Sequence, residues 1–205
     1  MNIAIFCKTA IHIDHMVEGL RQWPVTVCRS REELLEAIPD KDVVVALNQG
    51  FHFHSIDEEV LSVAKRLKFI QHYGVSYDAT DAVAAKNLGI QVATLPGQNS
   101  RSVAEQALFL LLALSRRLHV GERLIREGRI GDASCVELEG KTLCLVGLGI
   151  IGKMMVKMAH GLSMDVIGVR KDPTNSDVEG LGINKVFGTD QLHEALGMAD
   201  FTILL

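Results

Sequence analysis

Residues 142–146 (Thr-Leu-Cys-Leu-Val) run straight into Gly147-Leu148-Gly149-Ile150-Ile151-Gly152. A helical pattern follows, and then a second apolar run at residues 166–169. The order is strand, glycine turn, helix, strand, the context that gives a Gly-x-Gly-x-x-Gly its meaning. Gly147 permits a tight turn out of the strand, Gly149 lets the backbone approach a pyrophosphate, and Gly152 lets the helix pack close to the strand. The amides of Ile150 and Ile151 fall at the helix N-terminus, where unpaired N–H groups and the helix dipole favour an anion. The plain alternative is a glycine-rich turn that holds no ligand, which leaves the motif without a purpose.

The end of the second strand selects the cofactor. An acidic residue there accepts from the ribose 2′-OH of NAD, whereas a basic one receives the 2′-phosphate of NADP. Arg170 and Lys171 occupy that place, followed by Asp172. The expected cofactor is therefore NAD(P), leaning to NADP(H). Asp172 reaches a ribose if the strand runs further, and a merely solvated pair of cations is the competing view.

Strands and helices alternate along the rest of the chain. Apolar strands are expected at residues 2–7, 25–29, 42–47, 69–72 and 91–93, with helices at 12–22, 31–38, 57–64 and 81–87. Ser30 and Glu33 form a capping-box pattern, and Gly89 is a helix stop. Residues 1–98 thus read as one doubly wound α/β domain. Pro96-Gly97-Gln98-Asn99 is the boundary. Residues 100–127 read as one long helix, apolar nearly all round, of the kind buried between domains or subunits. Residues 99–205 form the second domain, with strands at 142–146, 165–170 and 201–205 and helices at 150–161 and 190–198.

Composition narrows the function. Of 205 residues, 48% are hydrophobic and 22% charged, enough for a sizeable core. A net charge of -4 argues against nucleic-acid binding. The longest apolar run, residues 107–114, is far short of the ~20 residues a membrane helix needs. The start of the chain lacks the basic region of a signal peptide. Cys7, Cys28, Cys135 and Cys144 are scattered, as in a cytoplasmic protein with reduced thiols. His52 and His54 lie in a loop at a strand end, without further recognisable metal ligands, and His72 reads as a strand residue satisfied by backbone, with contact to a ligand at the following loop as the alternative.

Three segments in order resemble the D-isomer-specific 2-hydroxyacid dehydrogenase family, which includes phosphoglycerate dehydrogenases and hydroxypyruvate and glyoxylate reductases. They are residues 67–81, with Gly74-Val75-Ser76-Tyr77-Asp78; residues 89–105, with Pro96-Gly97 and Val103-Ala104-Glu105; and residues 138–152. The resemblance implies a flavodoxin-like substrate domain followed by the first half of a Rossmann NAD(P) domain, both doubly wound parallel sheets. It implies an oxidoreductase acting on small D-2-hydroxy acids. The amides of Val75 and Ser76 would hold the substrate carboxylate, although the family's usual residue at Ser76 is glycine. Val103 would lie near the nicotinamide, and the 100–127 helix would form a homodimer. The family's catalytic arginine, glutamate and histidine fall beyond Leu205, so the chain is expected to be C-terminally truncated and inactive alone. A non-catalytic nucleotide-binding homologue is the alternative. With only three strands expected in this domain, residues 142–146 would be left as a bare sheet edge.

Overall fold

The computed structural model describes residues 1–7, 13–47, 55–129, 131 and 134–205. Residues 1–98 and residues 99–205 form two compact units.

In the first unit, strands β1 (Ile3–Phe6), β2 (Val25–Cys28), β3 (Val43–Ala46), β4 (Phe69–His72) and β5 (Gln91–Ala93) form one parallel sheet in the order β2-β1-β3-β4-β5. This is the flavodoxin-like winding. Side-chain alternation with both faces covered explains why the inner strands β1 and β3 are apolar throughout. Ala4, Phe6, Val44 and Ala46 join one core with Leu34, Val60, Leu61, Ala84 and Ala85, while Ile5 and Cys7 join another with Ile13, Met16, Val17 and Leu20. Helices α2 (Arg31–Ala37), α3 (Glu58–Ser62) and α4 (Ala82–Asn87) thus cover one face, and α1 (Asp14–Gly19) covers the other.

The helix starts follow local chemistry. Ser30 Oγ accepts from Glu33 N at 3.2 Å, Asp57 Oδ1 from Val60 N at 3.0 Å, and Asp81 Oδ1 from Ala84 N at 2.9 Å. The box at α2 closes one residue early, because the Glu33 carboxylate accepts from Arg29 N at 2.6 Å rather than from Ser30. Arg31 ties α2 to α3 through Asp57 (2.7 Å) and Glu59 (2.6 Å).

The second unit holds β6 (Thr142–Val146), β7 (Asp165–Val169), β8 (Lys185–Phe187) and β9 (Phe201–Leu204) in the parallel order β8-β7-β6-β9. Helices α5 (Ser100–Ser115) and α7 (Ile150–Gly161) pack on the face carrying Leu143, Leu145 and Val166. Helix α8 (Leu192–Met198) buries Ala195 on the opposite face with Cys144, Ile167 and Phe187.

Two expectations are corrected here. Residues 142–146 are not a bare edge, since β9 pairs with β6 on the side away from β7, in register Leu143 with Phe201 through Val146 with Leu204. The third strand is instead Lys185–Phe187, three residues in a polar stretch. The expected single helix at 100–127 is also two, α5 and α6 (Leu118–Arg126), parted at Arg117, whose φ is +48°. The carbonyls of Ser115 and Arg116 leave the helical ladder and accept from Val136 N (2.9 Å) and Cys135 Sγ (3.3 Å) of the returning loop.

Candidate functional site

Sheet order places the site in the second unit. The connection from β6 runs through α7 to β7 on one side, and the chain then crosses to β9 on the other. The crevice at the carboxyl ends of β6 and β9 is therefore the topological switch point, where ligands of open α/β sheets bind. Gly147, Gly149 and Gly152 sit at its floor, and each glycine has a separate cause. Gly147 has φ +115°, and a Cβ there would lie 2.8 Å from the Leu205 carbonyl oxygen. A Cβ on Gly152 would collide with the Gly147 carbonyl, so helix and strand touch at that point. Gly149 has an ordinary φ of -75° and open space around it. Packing thus explains two of the three, while the third keeps clear a volume that no protein atom fills.

Gly149 is the N-cap of α7 and carries no capping side chain. Ile150, 55% exposed, and half-buried Ile151 form the first turn with Gly152. Their amides are among the first N–H groups of a twelve-residue helix, which lack partners within it. The turn opens on a cavity of about 470 Å³ lined by Leu148, Gly149, Arg170, Lys171, Asp172 and Asp177. Gly149, Arg170 and Lys171, singled out from the sequence, therefore line one cavity. Leu148 is seated by Gly168 in mid-strand, where a Cβ would come within 2.9 Å of Leu148 Cγ.

The charges of this cavity are ordered. Asp172 is folded back on its own loop, its Oδ1 accepting from Thr174 N (3.1 Å) and Thr174 Oγ1 (2.8 Å). Those bonds hold its carboxyl below the usual carboxylate range. Arg170 pairs with Asp177, and Lys153 of α7 reaches the same carboxylate at 2.7 Å. Lys153 first and Arg170 second hold the Asp177 carboxyl low. Sequence reasoning missed Lys153 and Asp177. Asp177 lies in a polar loop, and nothing local marks it as facing the glycine turn.

Val103 is in the first turn of α5 and half-buried. It lines a separate groove of about 580 Å³ between α5 and β9, with Ala107, Leu111, Phe201, Ile203 and Leu205.

Val75 and Ser76 belong to the first unit, in the loop after β4. Gly74 opens that loop with φ +158° and its carbonyl accepts from Leu95 N at 2.8 Å. Ser76 Oγ accepts from Asp78 N at 3.1 Å. The far end is pinned by Ile56, whose N–H donates to Ala79 O (2.7 Å) and whose carbonyl accepts from Asp81 N (2.9 Å). His72 is fully buried, and its Nε2 lies 2.8 Å from Thr80 Oγ1. Its partner is thus a side chain eight residues on, beyond the backbone satisfaction expected of it. His52 and His54 lie outside the described residues. Among the described residues, no group of His, Cys, Asp and Glu could hold a metal ion. No helix among them is long and apolar enough to cross a membrane.

Relatives of known name share both the sequence pattern and the fold. The chain is 32% identical over 206 residues to D-3-phosphoglycerate dehydrogenase of Methanocaldococcus jannaschii, a match covering 98% of this chain and 38% of that protein. It is 36% identical over 160 residues to glyoxylate reductase of Thermofilum pendens, covering 75% of this chain and 45% of that protein. The chain therefore spans under half the length of these relatives. Among solved structures, the TT0316 protein of Thermus thermophilus superposes with a TM-score of 0.80 at 28% identity, covering 99% of this chain and 64% of that one. The family model described as D-isomer specific 2-hydroxyacid dehydrogenase, catalytic domain, matches residues 5–199. With the two parallel sheets and the glycine turn, these findings establish that the chain belongs to the D-isomer-specific 2-hydroxyacid dehydrogenase family.

Proposed function

We propose that this chain supplies the carboxylate-binding loop and the adenosine–pyrophosphate half-site of an NAD(P)-dependent oxidoreductase acting on small D-2-hydroxy acids and their 2-keto counterparts. The observation that carries this reading is the open space at Gly149 above the cavity of Arg170 and Lys171. In it, the helix-start amides of Ile150, Ile151 and Gly152 hold the pyrophosphate. Arg170 and Lys171 accept a 2′-phosphate, favouring NADP(H). A bound nicotinamide would supply the hydride chemistry at carbon 2 of the substrate. Val103 borders the nicotinamide side, and the amides of Val75 and Ser76 orient the substrate carboxylate.

The boundary at residues 98 and 99 separates the substrate domain from the nucleotide domain in this reading. The protein works as a cytoplasmic homodimer joined through α5 and α6. Exposed Phe109, Leu114, Leu118 and Ile125 on those helices support that surface.

Calorimetric titration of the 205-residue chain with NADPH and NADH tests the cofactor assignment. NADPH should bind at least tenfold tighter, and Arg170→Asp should weaken NADPH far more than NADH. Equal loss for both would remove the 2′-phosphate from this site.

A further inference from the structure

Asp177 has a position that packing does not require. Arg170 follows β7 directly and Lys153 comes from the first turn of α7, yet both converge on this one carboxylate. Arg170 Nη1 donates to Oδ1 and Lys153 Nζ to Oδ2, so each oxygen is met by its own cation. The loop presents the carboxylate firmly. Asn175 Oδ1 accepts from Asp177 N at 3.0 Å, and the next residue, Val178, is buried in the core shared by α5 and α7. The side chain itself stays at the surface, 42% exposed, on the wall of the Gly149 cavity.

An anion bound between Arg170 and Lys153 needs the donors that Asp177 uses. Asp177 takes one guanidinium nitrogen, Nη1, and the Lys153 ammonium, and a phosphate drawn to the same two cations is repelled by the carboxylate already there. We propose that Asp177 is a built-in stand-in for the 2′-phosphate: it fills the anion position between these cations and must swing away before the 2′-phosphate assigned above to Arg170 and Lys171 engages Arg170, with Lys153 as a third cation. This rests on the assignment of the Arg170 cavity to the adenosine end of the cofactor. A rotation of one exposed side chain is enough, with no rearrangement of the sheet. The affinity for the phosphorylated nucleotide is then reduced by the fraction of molecules in which Asp177 occupies its cations. An unphosphorylated nucleotide does not compete for them and is not penalised.

The test compares 5′-AMP with 2′,5′-ADP, which differ only by the 2′-phosphate, in calorimetric titrations of the 205-residue chain as wild type, Asp177→Asn and Asp177→Ala. Circular dichroism and melting confirm that each variant is folded. Both variants should bind 2′,5′-ADP about three- to tenfold tighter than wild type, with 5′-AMP unchanged within about twofold. If wild type prefers 2′,5′-ADP but neither variant improves on it, Asp177 is not a stand-in, while the cavity assignment survives. If all three proteins bind both nucleotides alike, or bind neither, the cavity assignment fails and the stand-in falls with it.

Discussion

His72 shows how a single residue ties the loop after β4 to the sheet. It ends β4, is fully buried and meets Thr80 Oγ1, so residues 73–79 leave and return at one buried polar pair. Burial holds its imidazole below the ordinary 6.5, with the Asp78 charge acting the other way. The unfolded chain takes up this proton near pH 6.5, and the folded chain only at lower pH. Between those values the unfolded state binds more protons, so the stability due to neutral His72 is complete above 6.5 and is lost as pH falls. Urea unfolding followed by the single tryptophan, Trp23 in the same unit, should show a midpoint that drops between about pH 7.5 and 5.5. His72→Gln should flatten that dependence, and an equal slope in both proteins would mean that another group titrates. Thr80→Val leaves a buried ring nitrogen without its hydroxyl partner and should cost about 1–3 kcal/mol at neutral pH. The sequence marks the loop itself, because glycine and turn chemistry are local. The pairing of His72 with Thr80 depends on how the loop folds back, and no pattern of residue types encodes that.

At the scale of elements, the β6–α7 junction is legible because its constraints are steric and each falls on one residue. The three glycines differ in what they tolerate, and this separates folding from binding. Gly152→Ala drives a methyl into the Gly147 carbonyl and should cost about 1–3 kcal/mol, read as a lower melting temperature. Gly149→Ala meets open space at an ordinary φ, so melting should be nearly unchanged. Its methyl projects where a pyrophosphate would lie, and nucleotide affinity should fall at least tenfold. Equal melting losses in both variants would show that Gly149 is retained for packing. Other elements are illegible for equally physical reasons. β8 spans three residues that start with Lys185 and carries no apolar run, so residues 201–205 read as the third strand instead of the fourth. The division of α5 from α6 falls at an arginine with φ +48°, where a glycine would have signalled a stop. What ends α5 is the capture of its last carbonyls by residues 135 and 136, a tertiary event.

At the scale of the whole molecule, each unit has its own sheet and core, and the second also displays apolar surface that one copy of the chain does not cover. On α5 and α6, Phe109 is 53% and Ile125 70% exposed; on the outer strand β9, Leu204 is 81% exposed. The two surfaces offer different modes of association. Among the described residues β9 pairs with β6 alone, and a strand edge of that kind would join chains by extending the sheet. The helices present side chains alone, which in the proposed homodimer would pack face to face with a second copy in a closed pair. On α6, Leu124 is buried while Leu118 and Ile125 are exposed, so the helix offers apolar side chains outward as well as inward. Sedimentation equilibrium should therefore show a dimer. Phe109→Lys combined with Ile125→Lys should convert it to a monomer with an unchanged melting profile at high dilution, whereas Leu204→Lys should leave it dimeric. The opposite pattern would assign association to the sheet edge. It would also mean that the apolar faces of α5 and α6 are covered by something other than a second copy of this chain.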